Sequence, residues 1–194
     1  MRALFAFLTV ATLGGRAIAG DAQGSSETLV GWSDDGTRYA VSGFTTAGPK
    51  GAEFFLEVRE AGKAVYHWTQ PDDPGSQSPD RIDVETWDPL KKFKLRRLDA
   101  AARTRFAAKL VATSTTRGKD RFHCRPGGWS VKKKGGGAAL RAEAAGKDRC
   151  VTVMGGYLNT AGTHALVKVR EAWQVTAGGD KRTEQHERFV LLPL

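Results

Sequence analysis

Few residues of this chain combine the type and spacing that chemistry needs. Cys124 and Cys150 are its two cysteines. In an oxidising compartment they allow a single disulfide. It would close a loop of 27 residues, counting both ends, for roughly 3–4 kcal/mol in the chain-entropy account. Asp34 and Asp35 precede Gly36, but a Ca²⁺ loop takes oxygens from many alternate positions, and adjacent side chains diverge on a strand. The pair therefore reads as turn chemistry. Asp72, Asp73, Asp80 and Asp83 form a looser acidic group that reads as a solvated loop. The histidines are His67, His123, His164 and His186. None stands four residues from another His in a metalloprotease pattern, and no GxSxG elbow accompanies a serine. Cys124 beside His123 is a poor nucleophile pair, because sequence neighbours rarely meet in triad geometry. No metal, cofactor or catalytic residue is expected.

The remaining chemistry is charge. The chain is +9. Residues 20–90 carry 5 basic and 13 acidic side chains, and residues 91–149 carry 18 and 4. From Arg117 to Arg149 there are ten basic and three acidic residues, with Phe122 and Trp129 interleaved. Cations beside aromatic rings suit anionic groups. The expected anion ligands are Arg121, Arg125, Lys132, Lys133, Lys134 and Arg141. The opposite reading is internal: an acidic part of the domain lying against a basic part.

The elements that must position these groups begin after residue 19. Arg2, the apolar run from Leu4 to Leu13 and Ala17-Ile18-Ala19 have the order of a secretory signal peptide, cleaved before Gly20 or Asp21. The run is shorter than the roughly 20 apolar residues of a membrane span. No later segment reads as transmembrane. The expected product, residues 20–194, is one β-rich domain, secreted or periplasmic.

Three hairpins are expected. Leu29–Trp32 and Arg38–Val41 flank Asp35-Gly36; Glu53–Arg59 and Ala64–Trp68 flank Ala61-Gly62-Lys63; Ala165–Val175 and Glu187–Leu192 flank Ala177–Asp180. Trp129–Val131 reads as a short strand. Cys150–Met154 reads as a buried strand broken by Gly155-Gly156. Leu98–Ala112 is the one helix, with Leu98, Ala102, Phe106 and Leu110 on one face. Lys132–Gly137 reads as a mobile basic tip. The fold class is mainly β, from antiparallel hairpins in a sandwich or partial propeller-like arrangement, with one α-helix near 98–112.

Two segments match without gaps at a spacing of 126 residues: Trp32–Val41 and Leu158–Val167. Both read apolar, small polar, polar, any, Gly-Thr, basic, then apolar residues ending in Val. The first copy, through Asp35, Gly36 and Thr37, resembles the WSPDGT hairpin of TolB-type β-propeller blades, with Asp34 where that family often has Pro. The resemblance covers about ten residues and implies a turn between two strands of a blade. A complete propeller is not expected, since blades of about 40 residues usually number four or more and the domain is short for such a ring. More loosely, Gly31–Gly36 and Ala100–Ala108 resemble predicted bacterial secreted proteins of unknown function, which implies a secreted β-rich fold and no known activity.

The function expected is therefore that of an exported, non-enzymatic binding or envelope-associated protein engaging an anionic partner through residues 91–149. That partner would be an anionic polymer, a lipid headgroup or an acidic protein. The alternatives are a secreted hydrolase with a site assembled from distant residues, and an accessory subunit docking an acidic partner.

Overall fold

The computed structural model describes residues 24–46, 52–71, 88–97, 100–114, 128–144, 149–177 and 179–194. The signal-peptide segment, the acidic group from Asp72 to Asp83, and Arg121, Cys124 and Arg125 lie outside the described residues.

Each expected hairpin forms. Strands β1 (Gly24–Ser33) and β2 (Arg38–Thr46) pair antiparallel across Asp34–Thr37. Strands β3 (Ala52–Glu60) and β4 (Lys63–Pro71) pair across Ala61-Gly62. The long strands β10 (His164–Ala177) and β11 (Asp180–Pro193) pair from end to end. The fold is mainly β, and with β9 (Cys150–Leu158) the large sheet has the order β4-β3-β2-β1-β11-β10-β9.

Three sequence expectations change at their edges. The helix, α2, runs Ala100–Lys109, and Leu110–Thr113 is strand β6. The Lys109 carbonyl accepts the Lys134 N–H at 2.8 Å, and the β-branched Val111 and Thr113 extend into a ladder with β7 (Gly128–Lys133). A second helix, α1 (Asp88–Lys92), precedes the two-residue strand β5 (Leu95–Arg96). Strand β9 (Cys150–Leu158) passes through Gly155-Gly156 instead of ending there. Its register against β10 shifts between Lys168 and Val169. Gly155 has φ +123°, and a Cβ on Gly156 would stand 2.2 Å from the Leu166 carbonyl oxygen. The glycines make a bulge, which absorbs one residue without breaking the strand.

A small sheet, β6-β7-β8 with β8 at Arg141–Ala144, lies beside the large one. Period-two alternation gives the large sheet two apolar faces. On one, Val151, Val167, Val169, Val190 and Leu192 pack with Phe106 and Leu110 and with Trp129 and Val131 of the small sheet. On the other, Trp32, Tyr39, Val41 and Phe55 meet Leu166 and Phe189. A third cluster sets Val30, Ala40, Leu56 and Val58 against Leu95.

The junction of the two meanders is the feature that no local pattern foretold. Strands β1 and β11 pair in parallel only at Gly24–Gln185 and Ser25–His186. Beyond that, the Glu27 carboxylate occupies the next rung. It accepts the Phe189 N–H at 2.9 Å and a two-point contact from Arg59 at 2.6 and 3.0 Å. Burial would lower the Arg59 pKa, but Glu27 and Glu57 outweigh it and raise it above the ordinary value.

Candidate functional site

The repeated segments become two turns of one design. Gly36 N–H donates to the Ser33 carbonyl at 3.0 Å, and Gly162 N–H to the Asn159 carbonyl at 2.9 Å. Arg38 N–H donates to Ser33 Oγ, and His164 N–H to Asn159 Oδ1, each at 2.9 Å. Both glycines have positive φ, +80° and +68°. The turns also touch: a Cβ on Gly36 would stand 2.6 Å from His164 Nδ1 and 2.7 Å from Asn159 Nδ2. Glycine is required there by both backbone and space.

In the first turn Asp35 serves the backbone. Its Oδ1 accepts from Ser33 Oγ at 2.6 Å, from Thr37 N–H at 3.0 Å and from Thr37 Oγ1 at 2.9 Å. These bonds, Ser33's foremost, hold the carboxyl at about 2. The turn reading of Asp35 stands on these contacts. Among the described residues no group of three or more His, Cys, Asp or Glu side chains could hold a metal.

Between the turns lies a cleft of about 100 Å³. Trp32, Ser33 and Asp34 line it from the first turn, and Leu158, Asn159 and Thr160 from the second. Arg96 and Arg97 at the end of β5, and Arg105 on α2, close it. Arg96 Nη2 meets Asp34 Oδ2 at 2.9 Å, with both side chains largely exposed. Asp34 is the single acidic residue of the lining, beside three arginines. The space suits one compact anionic group; drug-sized ligands take about 300 Å³ or more.

The cleft opens onto a cationic strip. Arg105 and Lys109 stand at i, i+4 on the exposed side of α2. Lys109 Nζ lies beside Gly162 of the second turn, and the Lys109 backbone is bonded to Lys134. Lys132, Lys133 and Lys134 are exposed at the β7–β8 tip. Of the sequence-expected ligands, Lys134 is bonded through its backbone to the end of α2, and Lys132 and Lys133 are exposed beside it. Arg141 is placed elsewhere, held by Glu143 at 2.5 and 2.8 Å. Glu143 also takes Arg188 at 2.7 Å, and Arg188 reaches Glu171 at 3.3 Å, in a network joining the small sheet to the large one. Burial would raise the Glu143 carboxyl, but its two arginines hold it below the usual range.

Arg96 and Arg97 end a run of five cations in residues 91–97, and nothing in that run alone says which of them meets a cleft; Arg105, on the helix, reads in the sequence only as facing solvent or a partner. The available signal was the second copy of the Gly-Thr turn. Two equivalent turns that pack together leave one shared groove, and Arg96 ends, and Arg97 follows, a strand that pairs with β1.

Among the remaining groups, Cys150 is buried at the head of β9, and the described residues include no free cysteine. Ser25 Oγ lies 2.9 Å from His186 Nδ1. The His186 ring lies flat on Trp173, with centroids 5.0 Å apart. No described helix is long and apolar enough to cross a membrane. Comparison with protein-family models, curated proteins and solved structures gives no match for this chain.

Proposed function

We propose that this is an exported, non-enzymatic binding protein of the cell envelope or exterior, and that it engages an anionic polymer or headgroup through its basic middle region. The observation that carries the reading is the convergence of Arg96, Arg97 and Arg105 on a cleft with one acidic residue. Guanidinium groups take phosphate or carboxylate oxygens two at a time. The strip through Lys109 to Lys132–Lys134 would hold further anionic units by charge alone. The Cys124–Cys150 disulfide belongs to the same proposal, as the expected state of an exported chain. So does cleavage near Ala19, which N-terminal sequencing of exported protein would test.

The test is binding of the oxidised mature protein to polyphosphate and to vesicles with anionic headgroups, at low and moderate salt. A charge-driven contact weakens steeply as salt rises. Arg96/Arg97/Arg105→Ala should lose tenfold or more, and Lys132/Lys133/Lys134→Ala less. Absence of saturable binding at low salt would overturn the reading. Retention of an acidic protein alone would favour the docking-subunit alternative.

A hydrolase reading draws on Ser25 and His186, 161 residues apart in sequence. A triad also needs an acid to orient the imidazole. Among the described residues no carboxylate bonds to His186, whose ring is held by stacking. Labelling by a fluorophosphonate probe that disappears in Ser25→Ala would establish this reading instead.

A further inference from the structure

Beyond the two rungs at Gly24–Gln185 and Ser25–His186, no strand among the described residues pairs with β11 on its β1 side. Backbone groups of residues two apart point to the same edge of a strand. The Phe189 N–H points to the β1 side, because it donates to Glu27 there. The regular β10–β11 register places Leu191 on that side as well. The Phe189 carbonyl, the Leu191 N–H and the Leu191 carbonyl therefore face away from β10. Pro193 ends this edge, since it has no N–H to offer.

They face a cleft of about 480 Å³ lined by Arg188, Phe189, Val190 and Leu191 in unbroken succession. Side chains of a strand alternate between its faces, so four consecutive residues can line one cleft only if the cleft runs along the strand's edge. Thr37, Tyr39, Ala61 and Gly62 form the opposite wall. From Phe189 to Pro193 the edge is about 13 Å long at ~3.3 Å per residue.

We propose that this edge is a strand-addition slot that takes a short extended peptide segment of a partner protein. Main-chain bonds to Phe189 and Leu191 would supply the pairing, and alternate side chains the selectivity. One set of side chains would face Tyr39, Phe189 and Leu191. The other would face Arg188 and Arg141, part of a network in which three arginines, with Arg149, share two carboxylates, Glu143 and Glu171. The fitting segment alternates apolar and acidic residues. The slot is separate from the arginine cleft and does not depend on it.

The probe is acetyl-Val-Glu-Val-Glu-Val-amide, compared with its Lys-for-Glu counterpart and with forms N-methylated at alternate amides. Titration of the oxidised mature protein should give saturable binding of the Glu probe and slowed hydrogen exchange at the Leu191 amide. N-methylation of one alternate set should weaken binding tenfold or more, and methylation of the other set should not. The Lys probe should bind more weakly. Leu191→Pro removes the cleft-facing N–H and should weaken binding of the Glu probe tenfold or more; if that variant fails to fold, the methylated probes still decide. Equal binding of both methylated sets, no binding, or protection confined to the arginine cleft would overturn the slot. A dimer dissolved by the probe would put a second copy of this chain in the slot and overturn the partner-peptide form.

Discussion

The turns at Ser33–Arg38 and Asn159–His164 share a backbone and differ in what holds it. In the second, one side chain does the work. Asn159 Oδ1 accepts the N–H groups of Thr163 and His164 at 2.8 and 2.9 Å, and its Nδ2 donates to Thr163 Oγ1 at 2.9 Å. In the first, Ser33 is too short to reach both amides, so it takes Arg38 N–H and leaves Thr37 N–H to Asp35. The position equivalent to Asp35 in the second turn is Ala161, which has nothing to offer. One geometry thus has a neutral solution and an ionic one. The neutral turn is buried at its anchor, and the ionic turn keeps its carboxylate in solvent.

The junction that holds the two meanders together breaks with the largest effect. Glu27→Ala removes the acceptor of Phe189 N–H and the two-point partner of Arg59. Loss of one partner from a buried pair costs about 3–5 kcal/mol. Glu57, 2.6 Å from Arg59, remains, so the lower end is expected. Urea unfolding should show the loss, and an unchanged midpoint would mean that the parallel rungs alone close the sheet.

Asn159→Ala should follow, at about 2–3 kcal/mol, because it strands two amide donors beneath a buried position. Asp35→Ala should cost about 1 kcal/mol, since solvent can replace much of what an exposed carboxylate supplies. The two turns should also part company with pH. The Asp35 carboxyl is held at about 2, below its ordinary 3.8. A carboxyl lowered in the folded state contributes stability above its unfolded pKa and loses it as pH falls through the folded one. The contribution should fade between about pH 4 and pH 2, and the decline should be shallower in Asp35→Ala. No such step is expected from the Asn159 turn. A melting series that falls equally in both proteins would detach the acid response from Asp35.

The same comparison explains what was legible in the residues. Gly36 and Gly162, each followed by Thr and an alternating strand, declared both turns and their kinship. The three hairpins followed from Asp-Gly, Ala-Gly and Gly-Gly signals between alternating runs. Glu27 gave no sign of its role, because a lone acid in a strand looks solvated until Arg59 and Phe189 arrive from 32 and 162 residues away. Leu110–Ala112 continued an apolar helical stripe on paper, and only the partner strand at Ser130–Lys133 draws Leu110–Thr113 into a ladder. The cleft was hidden for a similar reason: Arg96 belongs to a run of five cations in residues 91–97 that does not say which of them meets a partner, and β5 reaches Asp34 only by pairing with β1.

The smallest expected effect on stability is the most informative about the cleft. Asp34 and Thr160 occupy equivalent places in the two turns, and both line the groove. Asp34→Thr makes the lining symmetric in charge. Its ion pair with Arg96 is exposed on both sides, and such pairs are worth about 0–1 kcal/mol. The melting temperature should therefore barely move. Polyphosphate affinity at low salt should rise, because Arg96 is released and the one carboxylate facing the anion is gone. The gain should shrink as salt rises, as it must for a through-space term. If affinity stays level while the fold is intact, Asp34 is not opposing the ligand, and the anion sits on the lysine strip rather than between the turns.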